Sequence, residues 1–162
     1  MAVLPLRFAP DSVLRRKAKR VRKIDGSIEK LIDDMLETLP AASGVGLAAP
    51  QVGVSLQVAV IGIPEEETIV LINPEIVKRS GECTVMEGCL SIPGYRGEIK
   101  RSVSVTVKGR DRHWKEVRLK ATELLAQVLQ HEIDHLNGVL YIDHLESMDK
   151  LYPIEPEEER GL

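Results

Sequence analysis

The segment that decides the fold lies near the end of the chain, where residues 122–137 read TELLAQVLQHEIDHLN. It contains no glycine or proline and is followed directly by Gly138, a pattern that predicts a helix ending at this glycine. His131 and His135 lie four residues apart within it, about 400° of rotation at 3.6 residues per turn. Both imidazoles therefore emerge from one face of the predicted helix and can share one metal ion.

Glu132 completes the pattern His-Glu-x-x-His and adds a chemical function to the two histidines. It lies about 60° around the helix from His135, beside the expected metal rather than opposite it. From there its carboxylate can accept a proton from a water molecule at the metal. The pattern predicts a metal-dependent hydrolase, and the plainer alternative is a helix with two exposed histidines.

The third metal ligand is not fixed by this helix. A catalytic metal of this kind usually has three protein ligands and one open position. The extended pattern His-Glu-x-x-His-x-x-Gly-x-x-His has Tyr141 at its last position here, while His144 comes too late and Glu146 lies closer than such a ligand usually does. The candidates that remain are Cys89, Cys83 and His113.

Cys89 lies in residues 87–94 (EGCLSIPG), where backbone amides can point outward. Cys83 lies in a plainer stretch that favours burial as a small apolar residue. A nucleophilic Cys89 with a histidine base is a competing interpretation. It leaves the His-Glu-x-x-His pattern without a purpose.

A glycine-rich segment, residues 43–53 (SGVGLAAPQVG), formally contains a dinucleotide-binding fingerprint. That fingerprint needs a strand before it and a helix starting within it. Here a predicted helix precedes the segment and Pro50 would interrupt a helix starting there. We therefore interpret it as backbone that passes close to another group, with Gln51 supplying an amide donor.

The rest of the chain predicts one more helix and many short strands. The helix covers residues 27–39, with Ser27 as its cap and Pro40 after it. The predicted strands cover residues 56–62, 68–72, 75–79, 83–86, 102–109 and 115–120. This order favours an α+β fold with mainly antiparallel pairing.

Length and composition suit one domain over residues 1–162, with 43% hydrophobic residues and a net charge of −3. Aromatic residues make up only 3%, which argues against base stacking on single-stranded nucleic acid. Residues 1–23 carry eight Lys or Arg against one Asp, and a short acidic tail begins at about residue 150. The basic strip is either a solvated terminus or a contact for ribosomal RNA or another polyanion.

Two cysteines are too few for a disulfide framework, and no apolar run approaches the ~18–20 residues that span a bilayer. The first ten residues do not resemble a secretory signal or a transit peptide. We therefore expect a cytoplasmic protein without a membrane partner.

Three segments together resemble the signature motifs of the peptide deformylases, in the order that this family has them. They are residues 44–51 (GVGLAAPQ), 87–91 (EGCLS) and 130–135 (QHEIDH). The resemblance extends roughly from Val3 to Asp143, and residues 93–97 (PGYRG) are similar to the bacterial and organellar form. It implies an α+β fold with antiparallel sheets around a central metal-binding helix. It also implies removal of the N-formyl group from the initiator methionine of nascent chains, with release of formate.

The same resemblance implies a site. A ferrous ion, replaceable by nickel, cobalt or zinc, would be held by Cys89, His131 and His135. Glu132 would act as general base and then general acid. Gln51 and the backbone N–H of Leu90 would stabilise the oxyanion, and Gly46 would lie near the substrate.

Further positions are expected around this site. The resemblance implies an ion pair of Glu87 and Arg101 that steadies the Cys89 loop, and Arg96 as a contact for the peptide backbone of the substrate. Asp134, on the flank of the metal face, is expected to orient a ligand histidine. Helical geometry places three residues beside the metal, and Val45 joins them to hold the methionine side chain. The three are Leu124, Gln127 and Val128.

Two alternatives stay open. One is a His-Glu-x-x-His endopeptidase with a different third ligand. The other is an inactive relative that binds N-terminal peptides. The partners expected under the deformylase interpretation are formyl-methionyl nascent peptides and the ribosome near its exit tunnel, with no sequence-specific nucleic acid.

Overall fold

The computed structural model describes residues 2–154, and most of the predicted acidic tail lies outside them. Within these residues, two α-helices, α1 (Gly26–Ala41) and α2 (Glu123–Leu136), accompany eight strands. The strands are β1 (Gly46–Ala48), β2 (Val58–Ile61), β3 (Ile69–Ser80), β4 (Cys83–Cys89), β5 (Ile92–Arg101), β6 (Ser104–Arg110), β7 (Glu116–Thr122) and β8 (Leu151–Pro153). Within residues 2–154, no helix has the length and apolar character needed to cross a bilayer.

Helix α1 forms where it was predicted, with two differences at its ends. Its cap is Asp25, whose carboxylate accepts a hydrogen bond from the Ile28 N–H at 3.0 Å. Ser27 donates its hydroxyl to Asp25 instead, so the prediction of a Ser27 cap was wrong. Pro40 lies inside the last turn, because the Ala42 N–H still reaches the Thr38 carbonyl at 2.9 Å and continues the helix past it.

The larger sheet has five antiparallel strands in the order β1-β2-β3-β6-β7. Its β2–β3 pair joins two of the predicted strands, at residues 56–62 and 68–72. The strands predicted at residues 68–72 and 75–79 form one strand, β3, with an irregularity after Ile72. Asn73 adopts a positive φ of 52°, and its side chain exchanges two 2.8 Å hydrogen bonds with the backbone of Val21, which hold the chain in this conformation.

The smaller sheet, β4-β5-β8, contains two strands that the sequence did not predict, β5 and β8. Strand β5 includes Pro93, Gly94 and Gly97, residue types that are depleted in strands. It pairs with β4 along its length nonetheless, because the tight reversal after Cys89 brings the two segments together.

Helix α2 lies between the two sheets. Its apolar face packs on the larger sheet in a buried cluster that includes Leu129, Ile133 and Val107. Its opposite side carries the polar residues that meet β4 and β5 of the smaller sheet. This arrangement confirms the predicted α+β fold with antiparallel sheets around a central helix, and Gly138 ends that helix with a φ of 76°.

Candidate metal centre

Three metal-binding side chains converge where the end of β4 meets the middle of α2. Cys89, His131 and His135 each offer one donor atom, and these atoms all lie within 4.8 Å of one another. The Cys89 Sγ lies 3.2 Å from the Nε2 of His135, which lies 3.1 Å from the Nε2 of His131. Within residues 2–154 this is the one cluster of its kind, and all three side chains are buried.

The chemistry of these donors fits a divalent metal. The Nδ1 of His131 donates a hydrogen bond to the Glu87 carboxylate at 2.6 Å, so its Nε2 presents a lone pair to the centre. A thiolate with two imidazoles suits iron, nickel, cobalt or zinc.

The structure also resolves the choice among the three candidates for the third ligand. Cys83 lies at the far end of β4, where its sulfur contacts the Arg101 carbonyl. His113 lies in the hairpin turn between β6 and β7. Cys89 is the candidate that reaches the histidines, because the chain reverses there and the Ser91 N–H donates to its sulfur at 3.4 Å.

Gln51 lies fully buried beside this cysteine. The Ala48 N–H donates to its Oε1 at 3.0 Å, which fixes the orientation of the amide. Its Nε2 therefore points toward Ser91, with Oγ at 3.2 Å, and toward the Cys89 sulfur at 3.7 Å. Ser91 is a buried partner that sequence reasoning missed, although it lies two residues from the predicted ligand.

Glu132 is buried beside the donors, and neither of its carboxylate oxygens has a hydrogen-bond partner among residues 2–154. Burial disfavours its charge and raises its pKa to about 7. A β-carbon on Gly46 would overlap Glu132 Oε2 and would lie 2.9 Å from Val128. The expectation that the glycine-rich backbone passes close to another group is therefore confirmed, and that group is a carboxylate able to exchange a proton near neutrality.

Glu87 is the opposite kind of carboxylate. Arg101 donates to both of its oxygens, at 3.0 Å and 2.5 Å, so the expected ion pair is present. Burial alone would raise the pKa of Glu87, but His131 and Arg101 outweigh it and lower the pKa to about 2. Glu87 thus stays ionised and accepts the hydrogen of a ligand histidine.

Asp134 makes different contacts from those expected. It accepts a hydrogen bond from Arg101 at 2.6 Å and lies 2.8 Å from the Nε2 of His144, so these contacts are made with Arg101 and His144 and not with the ligand histidines. The carboxylate that contacts His131 is that of Glu87, because the short Asp134 side chain leaves α2 on the flank facing β5. Sequence reasoning considered His144 only as a metal ligand and missed this contact.

The residues expected at the substrate lie on α2 or pack beside it. Val45 is half-buried and packs in the same cluster as the fully buried Val128. Gln127 donates its amide to the Met86 carbonyl at 3.2 Å, and Leu124 is exposed at the start of α2.

Two more expected residues lie on the smaller sheet and the Cys89 loop. Arg96 is half-buried on β5, opposite Tyr152 of β8. Leu90 is half-buried, and a β-carbon on Gly44 would lie only 2.7 Å from its Cδ1. The glycine-rich segment and the cysteine loop therefore approach each other closely.

An antiparallel α+β fold with a buried Cys-His-His cluster on a His-Glu-x-x-His helix defines a metal-dependent hydrolase. Residues 3–151 match the family model for polypeptide deformylase. A peptide deformylase of Dehalococcoides mccartyi strain CBDB1 is 58% identical over 160 residues, covering 98% of this chain and 96% of that protein. The chain belongs to the polypeptide deformylase family, the enzymes that remove the N-formyl group from the N-terminal methionine of nascent polypeptides.

Solved structures agree with this membership. The crystal structure of a peptide deformylase from Legionella pneumophila superimposes with a TM-score of 0.88 at 47% identity, covering 92% of this chain and 89% of that one. The peptide deformylase from Synechococcus elongatus, solved in complex with actinonin, gives a TM-score of 0.87 at 45% identity, with 91% and 81% covered.

Proposed function

We propose that this chain hydrolyses the formyl group of formyl-methionyl peptides at the Cys89–His131–His135 centre. The observation that carries the proposal is the unpartnered Glu132 carboxylate beside three converging metal donors. The site has what formamide hydrolysis needs: a place for a Lewis acid, a proton acceptor and hydrogen-bond donors for an oxyanion.

The metal that we propose is Fe²⁺. A divalent ion held by these residues polarises a carbonyl oxygen and lowers the pKa of water from 15.7 towards ~7. The donor set also admits nickel, cobalt and zinc. Metal analysis of protein purified without oxygen checks the assignment, and a native content of zinc alone would contradict it.

Glu132 is proposed to move the proton. Its carboxylate takes a proton from the attacking water and gives it to the amine that leaves after the C–N bond breaks. A pKa of about 7 suits both directions of transfer at neutral pH. No described residue forms a hydrogen bond with its carboxylate oxygens, which supports their availability for this exchange.

The developing oxyanion is proposed to receive hydrogen bonds from the Gln51 amide and from the Leu90 backbone N–H. Support for Gln51 comes from its fixed orientation, because the Ala48 N–H binds Oε1 and leaves Nε2 directed at the centre. Losing one such donor typically costs ~2.7–4 kcal/mol of barrier.

The methionine side chain is proposed to lie against the apolar group beside the metal, and Arg96 and Gly46 are proposed to contact the peptide backbone. Val128 supplies a buried floor, and the exposed Leu124 supplies a rim that a substrate can reach. The apolar group comprises Val45, Leu124, Gln127 and Val128.

The test is formate release from formyl-Met-Ala by iron-loaded protein kept free of oxygen. We expect Cys89→Ser to lose both metal and formate release, while the matched Cys83→Ser retains both, because Cys83 lies at the far end of β4. Proteolysis that survives in Cys89→Ser would support a metalloendopeptidase with a different third ligand. Peptide binding without hydrolysis in the unaltered, metal-loaded protein would support an inactive relative.

The proposed place of action is the bacterial cytoplasm, next to the ribosome. A basic surface supports a position next to the ribosome, because five Lys and Arg side chains form no ion pair within residues 2–154. Some of them line a surface hollow of about 610 Å³ beside Trp114. The five side chains are Lys17, Lys19, Arg20, Arg22 and Lys23. Such a surface fits the phosphates of ribosomal RNA.

Co-sedimentation with bacterial ribosomes tests the surface. We expect binding to weaken strongly between about 50 and 200 mM salt, and Arg20→Glu with Arg22→Glu to abolish it. Arg118→Glu with Lys120→Glu on β7 is the matched control and is expected to bind normally. Association that does not depend on salt would contradict the proposal.

A further inference from the structure

A chain of five polar side chains runs from the protein surface to His131. It starts at His144, passes through Asp134, Arg101 and Glu87, and ends at Nδ1 of His131. The bonded atoms are separated in turn by 2.8, 2.6, 2.5 and 2.6 Å. The exposed fraction of the side chain falls from 36% at His144 to 18% at Asp134, and then to 4% and 0% at the next two residues. The outer end is therefore solvent-exposed and the inner end is buried.

The direction of the hydrogen bond between His144 and Asp134 can be assigned. Asp134 accepts a hydrogen bond from the Arg101 guanidinium at 2.6 Å, and this charged partner favours the carboxylate form of Asp134. An ionised carboxylate only accepts, so Nε2 of His144 donates to Asp134. Nδ1 of His144 takes no hydrogen bond within residues 2–154, so it can gain or lose a proton without breaking this link.

The charges along the chain do not cancel. Glu87 and Asp134 are negative and Arg101 is positive, which leaves one net negative charge around the buried guanidinium. His144 is the titratable group in direct contact with this set that can supply the missing positive charge.

The other charged groups around His144 are held by different contacts or lie across open space. Its neighbour Asp143 pairs with Arg15 at 2.5 Å, and Lys100 pairs with Glu146 at 3.0 Å. Arg101 lies 3.5 Å from the Nε2 of His144 and, with Asp134, lines a surface hollow of about 170 Å³ beside it. Arg79, Glu82 and Lys100 line the same hollow.

We propose that His144 is a positioning residue of the metal centre, which acts through Asp134 and Arg101 on the Glu87–His131 pair. The ionisation of a surface imidazole thereby adjusts how strongly His131 donates to the metal. This inference rests on the proposed metal-ligating role of His131.

The direction of the effect follows from competition for Asp134. A protonated His144 neutralises more of the Asp134 charge, so more of the Arg101 charge acts on Glu87. Glu87 then attracts the Nδ1 hydrogen of His131 less, and the opposite nitrogen becomes a weaker donor. A carboxylate in direct contact with a ligand histidine typically changes metal affinity by 10–100-fold. His144 acts through two further residues, so we expect only about 2–5-fold.

The experiment follows the Nδ1 proton of His131 by NMR in zinc-loaded protein from about pH 5.5 to 8. Glu132→Gln serves as the background in every sample, because Glu132 otherwise titrates in the same range. As pH falls, we expect the resonance to move to lower frequency with the midpoint that the His144 ring itself shows. His144→Gln keeps a donor for Asp134 without the charge and is expected to abolish the movement.

His113→Gln is the matched control, since His113 is also exposed but lies in the β6–β7 turn. It is expected to leave the movement intact. The inference is overturned if the His131 resonance still moves in His144→Gln. It is also overturned if, in the protein with all its histidines, the resonance moves with a midpoint different from that of His144. Should His144→Gln not fold, the comparison of midpoints alone decides the matter.

A chelator competition with Co²⁺ gives an independent measurement. Between pH 8 and pH 6, we expect the unaltered protein to lose about 2–5-fold more affinity than His144→Gln. Equal losses would overturn the inference. Failure of zinc to shift the His131 resonance at all would instead overturn the proposed ligand set.

Discussion

Two buried carboxylates flank the same pair of histidines and have opposite surroundings. Glu87 on β4 has both oxygens bound by Arg101 and shares one of them with His131. Glu132 on α2 has no hydrogen-bond partner at either oxygen in the part of the chain that the structure describes. Partnered burial lowers the pKa of Glu87 to about 2, whereas unpartnered burial raises the pKa of Glu132 to about 7. Under the proposed function, Glu87 keeps its charge to orient a ligand histidine, and Glu132 changes its charge during the reaction.

The largest effect should come from removing the carboxylate whose charge can change. Glu132→Gln has nearly the same shape but cannot take a proton, so we expect kcat for formate release to fall by about 10²–10⁴-fold. Metal content should stay normal, as measured by elemental analysis. Near-normal turnover in the variant would remove Glu132 from the proton transfer.

The two carboxylates should also give opposite pH dependence in the metal-free protein. The folded-state pKa of Glu132 lies above its ordinary value of 4.5, so the folded state binds the extra proton between pH 4.5 and about 7. Stability contributed in this way is present below pH 4.5 and is lost as pH rises to about 7. In urea unfolding, the free energy of unfolding of Glu132→Gln relative to that of the parent protein should therefore rise by about 3 kcal/mol over this range.

For Glu87 the sign is reversed. Its folded-state pKa lies below 4.5, so its contribution is present above pH 4.5 and is lost as pH falls toward about 2. The difference in unfolding free energy between the parent protein and Glu87→Gln should shrink over that acidic range. Parallel pH curves for both variants would show that the two surroundings do not differ as described.

Crowding the unpartnered carboxylate should have a smaller effect than removing it. A β-carbon in Gly46→Ala would overlap Glu132 Oε2, so the carboxylate must shift. A displacement of about 1 Å near reacting groups can cost 10²-fold, and we expect a loss of roughly that size in kcat. Gly26→Ala, whose β-carbon would meet nothing within 4 Å, is the control for formate release.

The smallest expected effect concerns the partnered carboxylate and metal retention. Glu87→Gln still accepts a hydrogen bond but loses the charge that holds the His131 ring, so metal affinity should fall by about 10–100-fold. Chelator competition measures this fall. Glu132→Gln, which does not touch His131 through a hydrogen bond, should retain the parent affinity, and an equal fall in both variants would contradict the division of roles.

The sequence predicted the site best where the relevant geometry is local. The spacing of His131 and His135 depends only on helical periodicity, and their shared face follows from residues within one turn. The fold class, the end of α2 at Gly138 and the β2–β3 pair came from equally short-range signals. Strand β5 was missed because its pairing with β4 overrides the low strand preference of its proline and glycines.

The N-terminal cap of α1 was also not predictable from the local sequence. Asp25 and Ser27 are both good capping residues, and the sequence offered no means to choose between them. The backbone path places the Asp25 carboxylate 3.0 Å from the Ile28 N–H.

The chain alone determined the helix, its two metal-facing imidazoles and the carboxylate between them, because these depend on the regular rotation of one helix. Tertiary structure decided that Cys89 rather than Cys83 or His113 completes the set, and that Glu87 rather than Asp134 meets His131. Those contacts join residues more than forty positions apart. Their geometry depends on how two sheets pack around α2, and no local pattern encodes that packing.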